Sequence, residues 1–427
     1  MLIVTIAVLL SLLVLSIPVA ATLIMLGLVL DFGFSSFPLY RAMGEILWTG
    51  SESFVLIAIP FFVLLGEILV RAGIAEKTYA TLESWMSRLP GGLLHANVAT
   101  ATLFSATSGS SVATAATVAT VALPQARQLG YDERLFAGSI AAGGTLGIII
   151  PPSINLIIYG FLAETSIPKL FAAGLIPGLL LALLFMVTSA GMCTLWPRLG
   201  GQRRTFDWPT RWRGLVHLLP ILVLFIVIIG SIYAGWATPT EAAALGVLAA
   251  MGLAAWNRRL NLKMLRKSVE STMRTTAMIM LIILAANVLN FVLASVGLSR
   301  ELSDFLDGVG FGPTGTILLI MALYFVLGFF VETLSLMVIT IPIVTPIVFG
   351  MGFDPVWFGI LVILLIEMAL ITPPVGLNLY VVQGVRKSGS LNDVMLGAIP
   401  FVLVMMVMAI LILIFPSIAL WLPGVLG

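Results

Sequence analysis

Apolar stretches of about 20 residues recur from one end of this chain to the other. They fall near 2–30, 53–70, 92–125, 135–163, 167–195, 214–235, 238–256, 275–296, 313–350, 355–383 and 391–422. Each is long enough to cross a hydrocarbon core of about 30 Å. Only 9% of the 427 residues are charged and 60% are hydrophobic, whereas soluble domains carry about 25% charged residues. No polar stretch is long enough for a soluble domain. Inside a bilayer the backbone must satisfy its own hydrogen bonds, so the chain reads as an all-α polytopic membrane protein. No basic residue precedes the first apolar run, which is therefore expected to be a permanent span, not a cleaved leader.

Several function classes drop out. A net charge of +2 argues against a nucleic-acid partner. One cysteine and two histidines allow no disulfide framework within the chain and no His/Cys set for a transition metal or haem. Cys193 reads as a small core residue, and His95 and His217 as interfacial residues. There is no HExxH, no GxSxG with a histidine at membrane depth, and no paired aspartate motif, so an embedded enzyme is not expected. No cofactor is expected either.

Two runs, 92–125 and 313–350, are too long for one span and too short for two; 34 helical residues make about 50 Å. The first is interrupted by the small polar stretch Ser105–Ser111, the second by Gly328 and Glu332–Ser335. Irregular backbone at membrane depth must be buried in protein or face water. Both runs are therefore expected to be re-entrant helical hairpins. With the other nine runs as crossings and a cytoplasmic N-terminus, eighteen of the 21 Lys and Arg fall on the cytoplasmic side. Only Arg41, Lys169 and Arg300 fall outside, as the positive-inside rule asks. The C-terminus then lies outside. The first hairpin opens from the basic face. The second, flanked by Glu301, Asp304, Asp307 and Asp354, opens from the other.

The chain also repeats itself. Gly147–Ser153 (GIIIPPS) matches Ala369–Val375 (ALITPPV), with the Pro-Pro pairs 222 residues apart. The same offset brings Pro124 onto Pro346 and the first hairpin tip onto 327–333. Ala72-Gly73-Ile74 resembles Val296-Gly297-Leu298. Each half reads as span, hairpin, broken span, span, and the charges orient the halves oppositely, an inverted repeat. Proline removes a backbone donor and breaks the helix. The carbonyls of Gly147–Ile150 and Ala369–Thr372 thus lose helical partners and suit a hard cation, while the half-helix N-termini beyond suit an anion. Matched breaks favour alternating access over a continuous pore. The boundaries expected are 1–52 for an N-terminal scaffold span and outer loop, 53–195 for the first repeat, 196–274 for central scaffold spans and cytoplasmic loops, and 275–427 for the second repeat. The hairpins lie at 92–125 and 313–350, and the broken helices at 135–163 and 355–383.

With these motifs in hand, the chain resembles the large membrane subunit, of DctM or sialic-acid M type, of tripartite ATP-independent periplasmic (TRAP) transporters. The carrying residues are Leu93–Ser111, Gly147–Gly160, Phe171–Gly178, Thr238–Ala243 (TPTEAA) and Ile371–Tyr380. The resemblance covers essentially the whole chain. It implies sodium-coupled, elevator-type uptake of a carboxylate such as a C4-dicarboxylate or sialic acid across a bacterial inner membrane, with the C-terminus periplasmic. It further implies a small four-helix membrane subunit, expected as a separate polypeptide because the chain opens on the large subunit's first span, and a periplasmic substrate-binding protein. One sodium is expected between Ser105, Ser108 and Gly109 and the break at Gly147 and Ile150. A second is expected between Gly328, Glu332 and Thr333 and the break at Ala369 and Thr372. Substrate is expected between the tips, with Ser110 and Ser111. A stand-alone sodium/dicarboxylate symporter is the alternative.

Single residues sharpen this. Glu332 at the second tip either binds a cation or proton or caps the following helix. Glu367 stands in the second broken span and either serves the site or pairs with the scaffold. Thr238 and Glu241 read as a helix start. Ser153 lies near the N–H groups freed beyond the first break and is a candidate carboxylate ligand. Asn155 and Tyr159, four apart, share one helix face, which either lines the substrate site or packs on the scaffold. Asn378 occupies the comparable segment of the second repeat. Amphipathic stretches 75–89 and 260–273 are expected to lie at the cytoplasmic interface.

Overall fold

The computed structural model describes all residues except 16, 299, 303, 305–309 and 427, and the side chains of 13 and 14 are likewise left undescribed. Asp307 lies outside the described residues. The described secondary structure is helical throughout.

The first run departs from expectation. It forms two helices, α1 (Leu2–Val14) and α2 (Val19–Phe34), parted before Pro18. Thirteen residues of α1 span about 20 Å, too short to cross. The Met1 ammonium lies 3.4 Å from Glu301, beyond the C-terminal end of the long helix α14 (Leu262–Val296). The N-terminus therefore shares a face with the end of α14, opposite Arg258 and Arg259, and is not on the basic face. Helix α2 lies along α14 with Gly27 facing Leu289 and Val292. Asp31 near its end accepts from the N–H groups of Leu39 and Tyr40, at 3.0 and 2.9 Å. No Lys or Arg precedes Arg41, so the charge asymmetry of every later segment stands.

Helix α3 (Met43–Ser51) leads to α4 (Ala58–Arg71) and the amphipathic α5 (Ala75–Met86). The first hairpin is α6 (Gly92–Ser108) and α7 (Ser111–Gln128). The first broken span is α8 (Glu133–Ile149) and α9 (Ile154–Leu162), bent by 45°. Then come α10 (Ile167–Leu195), α11 (Trp208–Leu215), α12 (Leu219–Tyr233), α13 (Pro239–Trp256) and α14. The stretch 260–273, expected as an interfacial helix, is instead largely the first part of the continuous 35-residue α14. The second hairpin is α15 (Gly312–Leu327) and α16 (Thr333–Gly350). The second broken span is α17 (Pro355–Ala369) and α18 (Leu377–Arg386), followed by α19 (Leu391–Ile414) and α20 (Ser417–Leu426).

The helices sort by packing. Helices α2, α3, α4, α12, α13 and α14 pack on one another, whereas α8 is surrounded by α6, α7, α10, α18 and α19. Helix α17 packs on α15, α16, α10 and α19. Contacts inside the second group are close. A Cβ on Gly138 would collide with the backbone at Gly397, and one on Gly397 with the Arg134 carbonyl. In a membrane, where burial of apolar surface drives little, small residues permit such backbone approach and its van der Waals gain. Thr238 and Glu241 form the expected capping box at the start of α13.

Candidate functional site

The first hairpin turns over two residues, Gly109 and Ser110. Gly109 closes α6 with a left-handed φ of 58°, and extended Ser110 opens α7 by accepting from the Ala113 N–H. This tip sits on the first break. A Cβ on Gly109 would lie 3.0 Å from the Pro152 carbonyl, and one on Gly147 would lie 2.9 Å from the Ser110 carbonyl carbon and the Ser111 nitrogen. Only glycine allows that approach. Helix α4 reaches the same tip, since a Cβ on Gly66 would lie 2.8 Å from the Ser108 carbonyl.

At the break, Ile150 is extended, Pro151-Pro152 is a cis pair, and Ser153 caps α9 by accepting from the Leu156 N–H. The Gly147 and Ile148 carbonyls have only prolines where their helical donors would stand. Ser108 bonds Thr114 at 2.9 Å. The buried Ser105 hydroxyl has no protein partner.

The second half builds the comparable place. Helix α17 ends at Ala369, Pro373-Pro374 is again cis, and Gly376 precedes α18. Thr372 is buried and donates to the Met368 carbonyl at 2.5 Å. A Cβ on Gly328 would lie 2.7 Å from the Ala369 Cβ, so the second tip also rests on its own break. Glu332 is the N-cap of α16, and its Oε2 accepts from the Ser335 N–H and hydroxyl at 3.2 and 3.1 Å. These bonds leave Oε1 available. The buried Thr333 hydroxyl has no protein partner.

The two places meet. Ser111 donates to Glu367 at 3.1 Å, while Gly328 rests on Ala369 two residues further along. Both tips thus converge on the end of α17. Glu367 is 1% exposed and bonds Ser111 of the first hairpin. An unpaired charge at this depth costs at least about 2.5–3.5 kcal/mol on insertion scales. It is the residue whose place the sequence left open; an acid inside an apolar span was the available signal.

The other expected contacts divide. Ser110 is half-buried at the tip, Ser111 buried beneath it, and Ser153 and Asn155 are buried beyond the break. Tyr159 and Asn378 hold the repeats together. The Tyr159 hydroxyl donates to the Pro355 carbonyl at 2.7 Å, and the Asn378 amide to the Ala141 carbonyl at 3.1 Å. Asn378 Oδ1 is buried without a protein partner. Below them, the buried Arg386 at the end of α18 bonds Glu133 at the start of α8 at 2.5 Å and lies 3.7 Å from Asp393. Each rear half-helix is thus tied to the opposite repeat. Two clefts of about 640 and 680 Å³ lie beside this unit, sharing Phe161, Asn287 and Asn290 between α9 and α14. Among the described residues no three His, Cys, Asp or Glu side chains cluster as a metal site.

Comparison with known proteins places these features. Residues 6–418 match the family model of the tripartite ATP-independent periplasmic transporter, DctM component. The chain is 33% identical over 404 residues to the C4-dicarboxylate TRAP transporter large permease protein DctM of Rhodobacter capsulatus, covering 89% of each. It is 34% identical over 382 residues to the sialic acid TRAP transporter large permease protein SiaM of Vibrio cholerae, covering 88% of this chain and 87% of that one. The fold resembles that of the YdaH transporter of Alcanivorax borkumensis, with a TM-score of 0.61 at 12% identity over 95% of this chain and 98% of that one.

Proposed function

The chain belongs to the DctM family of tripartite ATP-independent periplasmic transporter components, and from that membership we propose that it takes up an organic acid by sodium-coupled secondary active transport. The observation that carries the reading is the convergence of both hairpin tips on the end of α17, with an unpartnered buried hydroxyl, Ser105 or Thr333, at each tip. A hard cation is satisfied by such hydroxyls together with carbonyls that proline has freed. One sodium is assigned to Ser105, Ser108 and Gly109 with Gly147 and Ile150. The other is assigned to Gly328, Thr333 and Glu332 Oε1 with Ala369 and Thr372.

The substrate class is a carboxylate, since the two relatives above are named for C4-dicarboxylate and sialic acid. It is assigned to the space between the tips, with Ser110, Ser111, Ser153 and Asn155 as donors. Tyr159 and Asn378 are assigned there as positioning residues, because their polar groups already join the repeats.

Movement is of the elevator kind. The hairpins, the broken helices, α10 and α19 travel together against a scaffold of α2–α4 and α12–α14. The glycine contacts and cross-repeat bonds favour a rigid moving unit, while Gly66 on Ser108 is a sliding contact. Each repeat, 53–195 and 275–427, then supplies one scaffold element, α4 or the later part of α14, beside its moving elements, with 1–52 and 196–274 as scaffold. The protein spans the bacterial inner membrane with its C-terminus periplasmic. A small four-helix membrane subunit and a periplasmic binding protein that delivers substrate complete the system.

The test is uptake into proteoliposomes holding this chain, its small subunit and the cognate binding protein, with an inward sodium gradient against an equimolar potassium control. Sodium-dependent accumulation that vanishes without the binding protein bears out the proposal. Accumulation that persists without it means a stand-alone symporter, and indifference to sodium removes both cation sites.

A further inference from the structure

Two short helices at the basic face have no part in the carrier site. Helix α5 joins α4 to the first hairpin, and α11 joins α10 to α12. They pack on each other. A Cβ on Gly214 of α11 would lie 3.1 Å from the Thr81 side chain of α5, so glycine lets the two helices approach. The Thr81 hydroxyl donates to the Gly214 carbonyl at 3.1 Å, and the Trp85 indole N–H to the Arg211 carbonyl at 3.3 Å.

Beside this crossing lies a cleft of about 340 Å³, within the roughly 300–1,000 Å³ usual for small-ligand sites. Its polar lining comes from one face of each helix. Lys77, Thr81 and Ser84 stand on α5, and Thr210, Arg213 and His217 on α11 and the turn after it. The His217 N–H donates to the Gly214 carbonyl at 2.8 Å, which carries the helical spacing past Leu215. The hydroxyls are spent on structure, since Thr81 and Ser84 donate to carbonyls and Thr210 to Asp207. The donors left to the cleft are the Lys77 ammonium, the Arg213 guanidinium and the His217 ring.

No Asp or Glu is among the lining residues. Of the acids close by in sequence, Glu83 pairs with Arg204 at 3.2 Å, Asp207 holds Thr210, and Glu76 is exposed. Among the described residues neither Lys77 nor Arg213 forms an ion pair; the Lys77 ammonium lies 3.4 Å from the Asn257 side-chain oxygen. Two cations at one cleft without a carboxylate repel each other, and an anion between them removes that cost.

The surroundings say which anion. Trp85 meets Trp212 and Trp208 edge to face at 5.7 and 6.4 Å, and Arg88 and Arg211 lie over the Trp208 ring. Trp212, Val216 and Leu219 are exposed where the chain enters α12. Tryptophans flanking a span sit at headgroup level, the depth of lipid phosphates. An arginine fork and a lysine point charge together suit a phosphate.

We infer that the cleft between α5 and α11 is a binding site for a phosphate group, held by Lys77, Arg213 and His217. A bound phosphate ties together the two connections between α4 and the first hairpin and between α10 and α12. The site uses no residue assigned to sodium or substrate, so its failure and that of sodium-driven uptake are separate results.

The test uses the chain purified with its small subunit. Native mass spectrometry measures binding of phosphatidylglycerol and of the phosphate-free monogalactosyl diacylglycerol, and equilibrium dialysis measures inorganic phosphate. The expected result is a phosphatidylglycerol adduct that the galactolipid does not match. Its dissociation constant is expected to rise about thirtyfold in the double variant Lys77→Ala, Arg213→Ala, which removes two basic residues from a headgroup. The double variant Arg266→Ala, Lys267→Ala removes equal charge from the same face and is expected to leave the adduct unchanged. Binding of inorganic phosphate alone, weakened by the same cleft variant, also bears out the site and makes its ligand a soluble phosphate. Phosphate-probe binding that the cleft variant does not weaken overturns the inference. So does equal binding of the two lipids without binding of inorganic phosphate. Lys77 and Arg213 are exposed, so their loss leaves the packing intact; should the double variant not fold, Arg213→Gln decides alone by the same criterion.

Discussion

The Ser111 hydroxyl lies 3.1 Å from one oxygen of Glu367 and 3.4 Å from the other, joining residues 256 positions apart where the two repeats meet. Ser111→Ala strips the buried carboxyl of its described hydrogen-bond donor. Leaving a buried polar group unpartnered costs about 1–3 kcal/mol. The expected outcome is a lower melting temperature by tryptophan fluorescence and a matching fall in uptake, with Ser111→Thr closer to wild type. An alanine variant as stable as wild type would show that this bond contributes nothing.

Gly147 and Gly191 make a paired experiment. A Cβ on Gly147 meets backbone atoms of the hairpin tip at 2.9 Å, while one on Gly191 in α10 meets nothing within 4 Å. Gly147→Ala must push the tip off the break, and overpacking of this kind costs about 1–3 kcal/mol. Gly191→Ala is expected to be neutral or to stabilise by about 0.5–1 kcal/mol, through helix propensity alone. Melting curves of the two variants measure the difference. Equal effects would mean that the hairpin–break contact is not tight.

Glu332 combines two roles that substitution separates. Glu332→Gln keeps an oxygen for the α16 cap but loses the charge. Melting is then expected to stay near wild type while the sodium concentration for half-maximal uptake rises. Glu332→Ala loses both, with a cap cost of about 0.5–2 kcal/mol. Unchanged sodium dependence in Glu332→Gln would leave the residue as a cap only.

Arg386 holds Glu133 and Asp393 from a buried position, 4% exposed at its side chain. Removing a buried partner strands the charges it balanced, at up to about 3–5 kcal/mol for fully buried pairs. Glu133 is 44% exposed, and screening reduces that to about 1–3 kcal/mol for Arg386→Ala. The exposed pair Arg266–Glu270 is the control, and Arg266→Ala is expected within about 0.5 kcal/mol of wild type. Denaturation of both variants at low and high salt checks the contrast.

The breaks and hairpins were legible because their causes are covalent and local. Proline lacks an N–H wherever it stands, and a polar interruption in an apolar run marks a tip within a few residues. Partners were not legible. Asn155 and Tyr159 share a helix face by spacing, but nothing local tells that Tyr159 reaches Pro355 or that Asn378 reaches Ala141. Those contacts depend on how two repeats rotate against each other. Glu367 shows the same limit, since its depth could be read and its donor could not.

The N-terminal fold carries the last prediction. The sequence placed 2–30 across the membrane because charge was the test of topology, and no Lys or Arg precedes Arg41 to apply it. Pro18 was the local signal, a residue that ends the preceding helix by its missing donor. With Met1 beside Glu301, cysteines placed at Leu2 and at Glu301 are expected to react with a membrane-impermeant maleimide from the same side. A cysteine at Arg258 is expected to react from the other. The background is Cys193→Ser, which removes the only native thiol. Labelling of Leu2→Cys from the Arg258 side would restore a single N-terminal crossing and place Met1 away from Glu301.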